Sequence, residues 1–318
     1  MKRFWLLGVI FILLWGCREP DSLDVDVSAV PVDLRISRFD RQFYGADTTT
    51  LPVLKREYPY LFSSRIPDSV WQAKMQDTLL LKLKKQVDSV FPDNKRLEQE
   101  LIPLFKHIKY YFPRFSEPRV ITLYSDWDYT KRAFYQDSLA FLFLDNFLGT
   151  DNPVYKGIPQ YIRQTQTPRH LAPAMAEAIA MSIVPPPHTH DFLSKMIYYG
   201  KGLYLQKIFL PHIPDSILLK YSSAKMKWAE DNEAQVWLYF LDNKLLYSTD
   251  HQLDARFLDW APFSKFYTPA DHQSAGMIGR YIGYRIVSEY MKRTHDDPQK
   301  MLRTGAATIF RQSKYKPE

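Results

Sequence analysis

Leu171-Ala-Pro-Ala-Met-Ala-Glu-Ala-Ile-Ala-Met-Ser-Ile-Val184 is apolar on nearly every side, and Glu177 is its only charge. A helix that is hydrophobic all round belongs inside a core, so this stretch predicts a buried helix surrounded by others. The chain after Pro168 keeps the helical recurrence of apolar residues, with helices expected over 171–184, 191–208, 223–246, 276–293 and 298–311. Before it the pattern changes. Val32, Leu34 and Ile36 alternate with polar residues and predict a strand, 120–124 predicts a second and 139–144 a third. Asp126-Trp127-Asp128 and Gln136-Asp137-Ser138 supply turn chemistry between the last two. Residues 51–107 read as helical, as in Leu79, Leu80, Leu83, Val87 and Val90. The fold class is therefore α+β, predominantly helical with a small β-element in the N-terminal half, forming a single domain over 31–318.

At the N-terminus, Lys2 and Arg3 precede an apolar run from Phe4 to Trp15. A membrane-spanning helix needs about 20 apolar residues, so this run is too short to span and has the length of a signal-peptide h-region. It ends in Leu14-Trp15-Gly16-Cys17, which resembles a lipobox, with a bulkier residue than usual at Trp15. The expectation is a signal peptide over 1–16, a lipid on Cys17 and a polar, acidic tether over 17–30. Cys17 is the only cysteine among 318 residues. An exported chain with one thiol has no intramolecular disulfide to form, and acylation removes a thiol that would otherwise be a liability.

Hydrophobic residues make up 46% and aromatic residues 15%, the composition of a folded chain. Loss of Lys2 and Arg3 takes Lys+Arg from 42 to 40 against 35 Asp+Glu, leaving a charge of +5. The basic residues form no block, so nucleic acid is not an expected partner; the surface of an anionic bilayer is.

Familiar catalytic motifs are absent: there is no G-x-x-x-x-G-K-[ST], G-x-G-x-x-G, G-x-S-x-G or H-E-x-x-H. His188 and His190, after Pro185-Pro186-Pro187, could share a metal or lie in a solvated loop. Asp126-x-Asp128 could hold a divalent ion or simply make a turn. Glu177 is more informative. A carboxylate in so apolar a helix needs a partner or a raised pKa, and Arg163, Arg169 and Lys201 are the candidate partners. It would be a general base in a pocket or half of a structural ion pair. Glu233 falls on the apolar stripe of Val236, Trp237, Phe240 and Leu241, with Glu230 at its edge. The two could serve acid–base work or favour the helix dipole. Gly276, Gly279 and Gly283 share one helix face and predict a close helix–helix contact.

These residues resemble the gliding-motility lipoprotein GldB family of Bacteroidetes. The resemblance rests on Tyr199-Gly-Lys-Gly-Leu-Tyr204, Trp228 with Asn232-Glu233 and Trp237, and Leu245-Leu-Tyr-Ser248. It continues through Ala261-Pro-Phe-Ser-Lys-Phe-Tyr267, Gly279-x-x-x-Gly283 and Ile309-Phe-x-x-Ser-Lys-Tyr-Lys-Pro317. It implies a lipid-anchored protein of the cell envelope that works with other gliding or secretion proteins. That family in turn is distantly similar to predicted zinc peptidases bearing H-E-x-x-H, which implies a degenerate zincin-like fold. The matching stretch is Ala176-Glu177-Ala178-Ile179-Ala180, with alanine at both histidine positions, and the place of an acidic third ligand falls on Tyr199. Zinc needs three protein donors, so the resemblance implies no metal, no cofactor and no catalysis. Glu177, Tyr199, Lys201 and Glu233 would then line a pocket or relic site. The alternatives are a hydrolase built around Glu177, His188, His190 and Glu233, and a carrier of lipid or peptidoglycan fragments.

Overall fold

A computed structural model describes residues 23–318. The expected signal peptide over 1–16, Cys17 and the first part of the tether lie outside the described residues. The first half runs β1 (Arg35–Ser37), α1 (Phe39–Phe43), α2 (Leu51–Glu57), α3 (Asp68–Met75), α4 (Thr78–Val90), α5 (Lys95–Tyr111), β2 (Arg119–Leu123), β3 (Ala133–Gln136) and β4 (Leu139–Phe143). The second half is α6 (Gln160–Arg163), α7 (Leu171–Ile183), α8 (Phe192–Phe209), α9 (Asp215–Leu218), α10 (Ser223–Asp231), α11 (Glu233–Asp242), α12 (Gln252–Phe257), α13 (Ile278–Thr294), α14 (Pro298–Arg303) and α15 (Ala306–Ser313). The class is α+β, mostly helical, as expected.

The strands form one mixed sheet in the order β1-β2-β4-β3. β1 and β4 flank β2 in parallel, with Val120 beside both Ile36 and Ala140. β3 closes the edge antiparallel to β4. That strand escaped the alternation reading because it is four residues long and leaves Phe134 half exposed. The turn predicted at Gln136-Asp137-Ser138 is its hairpin, and Asp137 takes a φ of 54°, a left-handed conformation that aspartate tolerates.

α7 is buried as its composition demands and packs between β3, α5 and α8. α8 in turn packs along α13. The glycine stripe is partly as expected. Gly279 and Gly283 are on α13, but Gly276 precedes the helix and abuts Ala261.

Two expected long helices are broken. The one over 223–246 divides at Asn232, whose side-chain amide (2.8 Å) and backbone N–H (3.0 Å) both donate to the Trp228 carbonyl. It also stops at Asp242, where Lys244 at φ 56° ends the helix in a Schellman turn (Leu245 N–H to Phe240 O, 2.9 Å). The one over 298–311 divides at Thr304-Gly305, where the Lys201 ammonium donates to the Leu302 (3.0 Å) and Thr304 (2.8 Å) carbonyls. A tertiary contact thus supplies the donors that a continuous helix would have supplied itself.

Candidate functional site

Glu177 projects from α7 with its side chain 31% exposed, into a cavity of about 40 Å³ shared with Tyr199 of α8 and Arg280 of α13. Its partner is Lys220, at 2.8 Å, and not Arg163, Arg169 or Lys201. Arg163 turns to Gln160 and Lys201 to the α14–α15 break. Lys220 follows α9 at φ 60°, held by a Schellman turn (Tyr221 N–H to Ser216 O, 2.7 Å). Glycine usually occupies that position, and a lysine there costs roughly 1 kcal/mol in backbone strain. No glycine marks this turn, so periodicity gave no warning that a cation would be delivered to Glu177.

The electrostatics follow from that placement. Burial alone would push the Glu177 carboxyl up, yet Lys220, with Arg280 and Arg132 nearby, holds it below the ordinary carboxylate range. Burial lowers Lys220 in spite of Glu177, and the two arginines lower it further. Arg280 lies over the Tyr199 ring at 4.0 Å, and Lys220 over Trp260 at 5.1 Å. His170 is kept neutral by burial and by Arg132, Lys220 and Arg169, its pKa lowered to about 3. One carboxylate thus meets three cations. Such a group repels metal ions, and Ala176 and Ala180 are fully buried with no donor atoms. The residues therefore do not fit a zinc centre. Glu177→Leu should strand Lys220 among the arginines and cost about 2 kcal/mol, between values for exposed and buried pairs. Adding Lys220→Met should recover most of the loss in urea unfolding; an additive double variant would contradict the pairing.

Glu233 opens α11 in a different environment. One carboxylate oxygen accepts from Tyr281 (2.7 Å), and the other from Tyr315 (2.7 Å) and Arg285 Nε (3.0 Å). Its partners come from α13 and the C-terminal tail, and Glu230 beside it is exposed. Glu177 and Glu233 therefore do not line a common cavity: Glu233 is absent from the one around Glu177. Burial lowers Lys201 to about 8. Lys201 and His188 border an open cleft of about 500 Å³ that His190 does not reach. Both histidines are exposed, and no group of three metal-ligating side chains forms among the described residues. Asp126 pairs with Lys74 at 2.7 Å, while Asp128 binds Thr130 (2.5 Å) and Lys131 (3.3 Å), which makes the motif a turn. Lys220, Arg280 and Arg132 are the site residues that the sequence reading missed.

A family model described as gliding motility protein GldB matches residues 20–317. No curated protein matches the chain, and no solved structure does.

Proposed function

The chain belongs to the gliding motility protein GldB family, and we propose that it is a lipid-anchored cell-envelope protein acting through protein contacts, without catalysis, in gliding or the associated secretion. The anchor is a lipid on Cys17, and the partners are other envelope proteins of that machinery. The observation that carries the non-catalytic reading is the neutralised Glu177. Its carboxylate is paired with Lys220 in about 40 Å³, room for a few waters, where ligand sites commonly offer roughly 300–1,000 Å³. No helix among the described residues is long and apolar enough to cross a membrane.

Two substitutions test the two halves of this proposal in cells that lack the native protein. Cys17→Ala should leave the chain in the aqueous phase of a detergent partition and fail to restore gliding; retention in the detergent phase would defeat the anchor. Glu177→Gln, which keeps the shape of the side chain, should restore gliding at normal abundance. Loss of gliding with undiminished protein would defeat the non-catalytic reading.

A further inference from the structure

Away from Glu177, a cavity of about 190 Å³ opens just beyond the ends of β2 and β4. These strands are parallel, and the space outside the carboxyl ends of parallel strands is where sheet proteins commonly hold ligands. Asp145, 5% exposed, lines it. Its carboxylate accepts from the Ser125 backbone N–H (2.9 Å) and hydroxyl (2.6 Å). Among the described residues no cation pairs with it. Lys74 is taken by Asp126, Lys131 by Asp128, and Arg132 donates to the Thr165 carbonyl at 2.6 Å.

Gln166, 1% exposed, lines the same cavity, and its Oε1 has no donor. Its orientation is set by neighbours. The Asn146 amide donates to the Lys131 carbonyl (2.8 Å), which leaves Asn146 Oδ1 to accept from Gln166 Nε2 (3.3 Å). A buried acceptor without a donor costs about 1–3 kcal/mol. Trp127, Tyr129 and Tyr155 supply the aromatic part of the wall, and Trp127 stays half exposed at φ 68°. An uncompensated carboxylate, an orphan oxygen and three aromatic side chains are the complement of an ammonium group. The geometry points to a binding site for an organic primary ammonium, the end of an aminoalkyl chain, between Asp145 and Gln166 beneath Trp127. Aromatic walls favour such a group over a bare metal ion, which would need several oxygen ligands at short range.

The test is a ligand-observed NMR titration of the whole chain in nonionic detergent with n-butylammonium, using sodium and potassium as competitors. Millimolar binding is expected, unaffected by either metal ion. Asp145→Asn, near-isosteric and checked for folding by circular dichroism, should weaken it at least tenfold, and Trp127→Ala about three- to tenfold. Burial raises the Asp145 carboxyl to about 6, so wild-type affinity should fall about tenfold per pH unit below that. Nα-acetyl-lysine methylamide and glycerophosphoethanolamine then separate a protein side chain from a lipid headgroup as the source. No saturable binding, equal binding to folded Asp145→Asn, or displacement by sodium would overturn the proposal.

Discussion

Gly283→Ala should destabilise the protein by about 3 kcal/mol or more, at the upper end of what overpacking costs. The expectation comes from the crossing of α8 and α13. A Cβ on Gly283 would overlap the Met196 carbonyl, and one on Gly200 would overlap the carbonyl of Gly283 itself. Both obstacles are backbone, so no side-chain rotamer relieves them and the helices must separate. In an isolated helix the same change would help by about 1 kcal/mol, and here it loses to the clash. Separation would also open the contacts of Ile282, Ile286 and Met196, all fully buried. Gly200→Ala should behave similarly, and the double variant should cost less than the two together, because the first already moves the helices. Gly305 serves as the control. Nothing lies within 4 Å of a Cβ there and its φ is −67°, so Gly305→Ala should cost under about 1 kcal/mol. Urea unfolding midpoints read all four. A midpoint for Gly283→Ala within error of wild type would mean that the helices are not in backbone contact.

This crossing was half legible. The glycine face of α13 was visible in the spacing of Gly279 and Gly283, but its counterpart Gly200 lay in a different motif, and only tertiary structure brings the two together. The same division runs through the molecule. α7 was legible because an all-apolar helix has one place to go, and β2 and β4 because short apolar runs between turn residues have few alternatives. The breaks at Asn232 and Thr304 were not, since apolar recurrence continues across both. One is made by a side-chain amide bonding its own helix, the other by Lys201 from a distant helix. The candidate site divides likewise: an ion-pair partner for Glu177 was required by its surroundings, whereas Lys220 depends on a turn without the usual glycine. Asp145 gave no signal at all, because Leu144-Asp145-Asn146 looks like an ordinary strand end.

Glu233→Ala should cost about 3 kcal/mol and release the C-terminal tail. The carboxylate is the acceptor for both Tyr281 and Tyr315, which are 2% and 8% exposed, so its removal leaves two buried hydroxyls unpaired. Each such loss costs about 1–3 kcal/mol. Arg285 adds less, because its side chain is 44% exposed and water can take over its donors. Burial, reinforced by the nearby carboxylate, raises both tyrosines, so they stay protonated donors throughout the working pH range. The tail matters because Tyr315 also packs edge-on against Trp237 at 5.1 Å, beside Phe310 at 5.7 Å. Loss of the bond should loosen α15 from α11 and α13, raising amide exchange over 306–315 more than in α7. Glu233→Gln should fall between, since one amide oxygen cannot serve three donors while the amide nitrogen can still donate to a hydroxyl. Tyr315→Phe removes donor and hydroxyl together and leaves the carboxylate with Tyr281 and Arg285, so it should cost only about 1 kcal/mol. A cycle combining Glu233→Ala with Tyr315→Phe should show coupling of about 1 kcal/mol or more. Strict additivity would mean that the carboxylate does not fasten the tail, and an acid–base role for Glu233 would regain its footing.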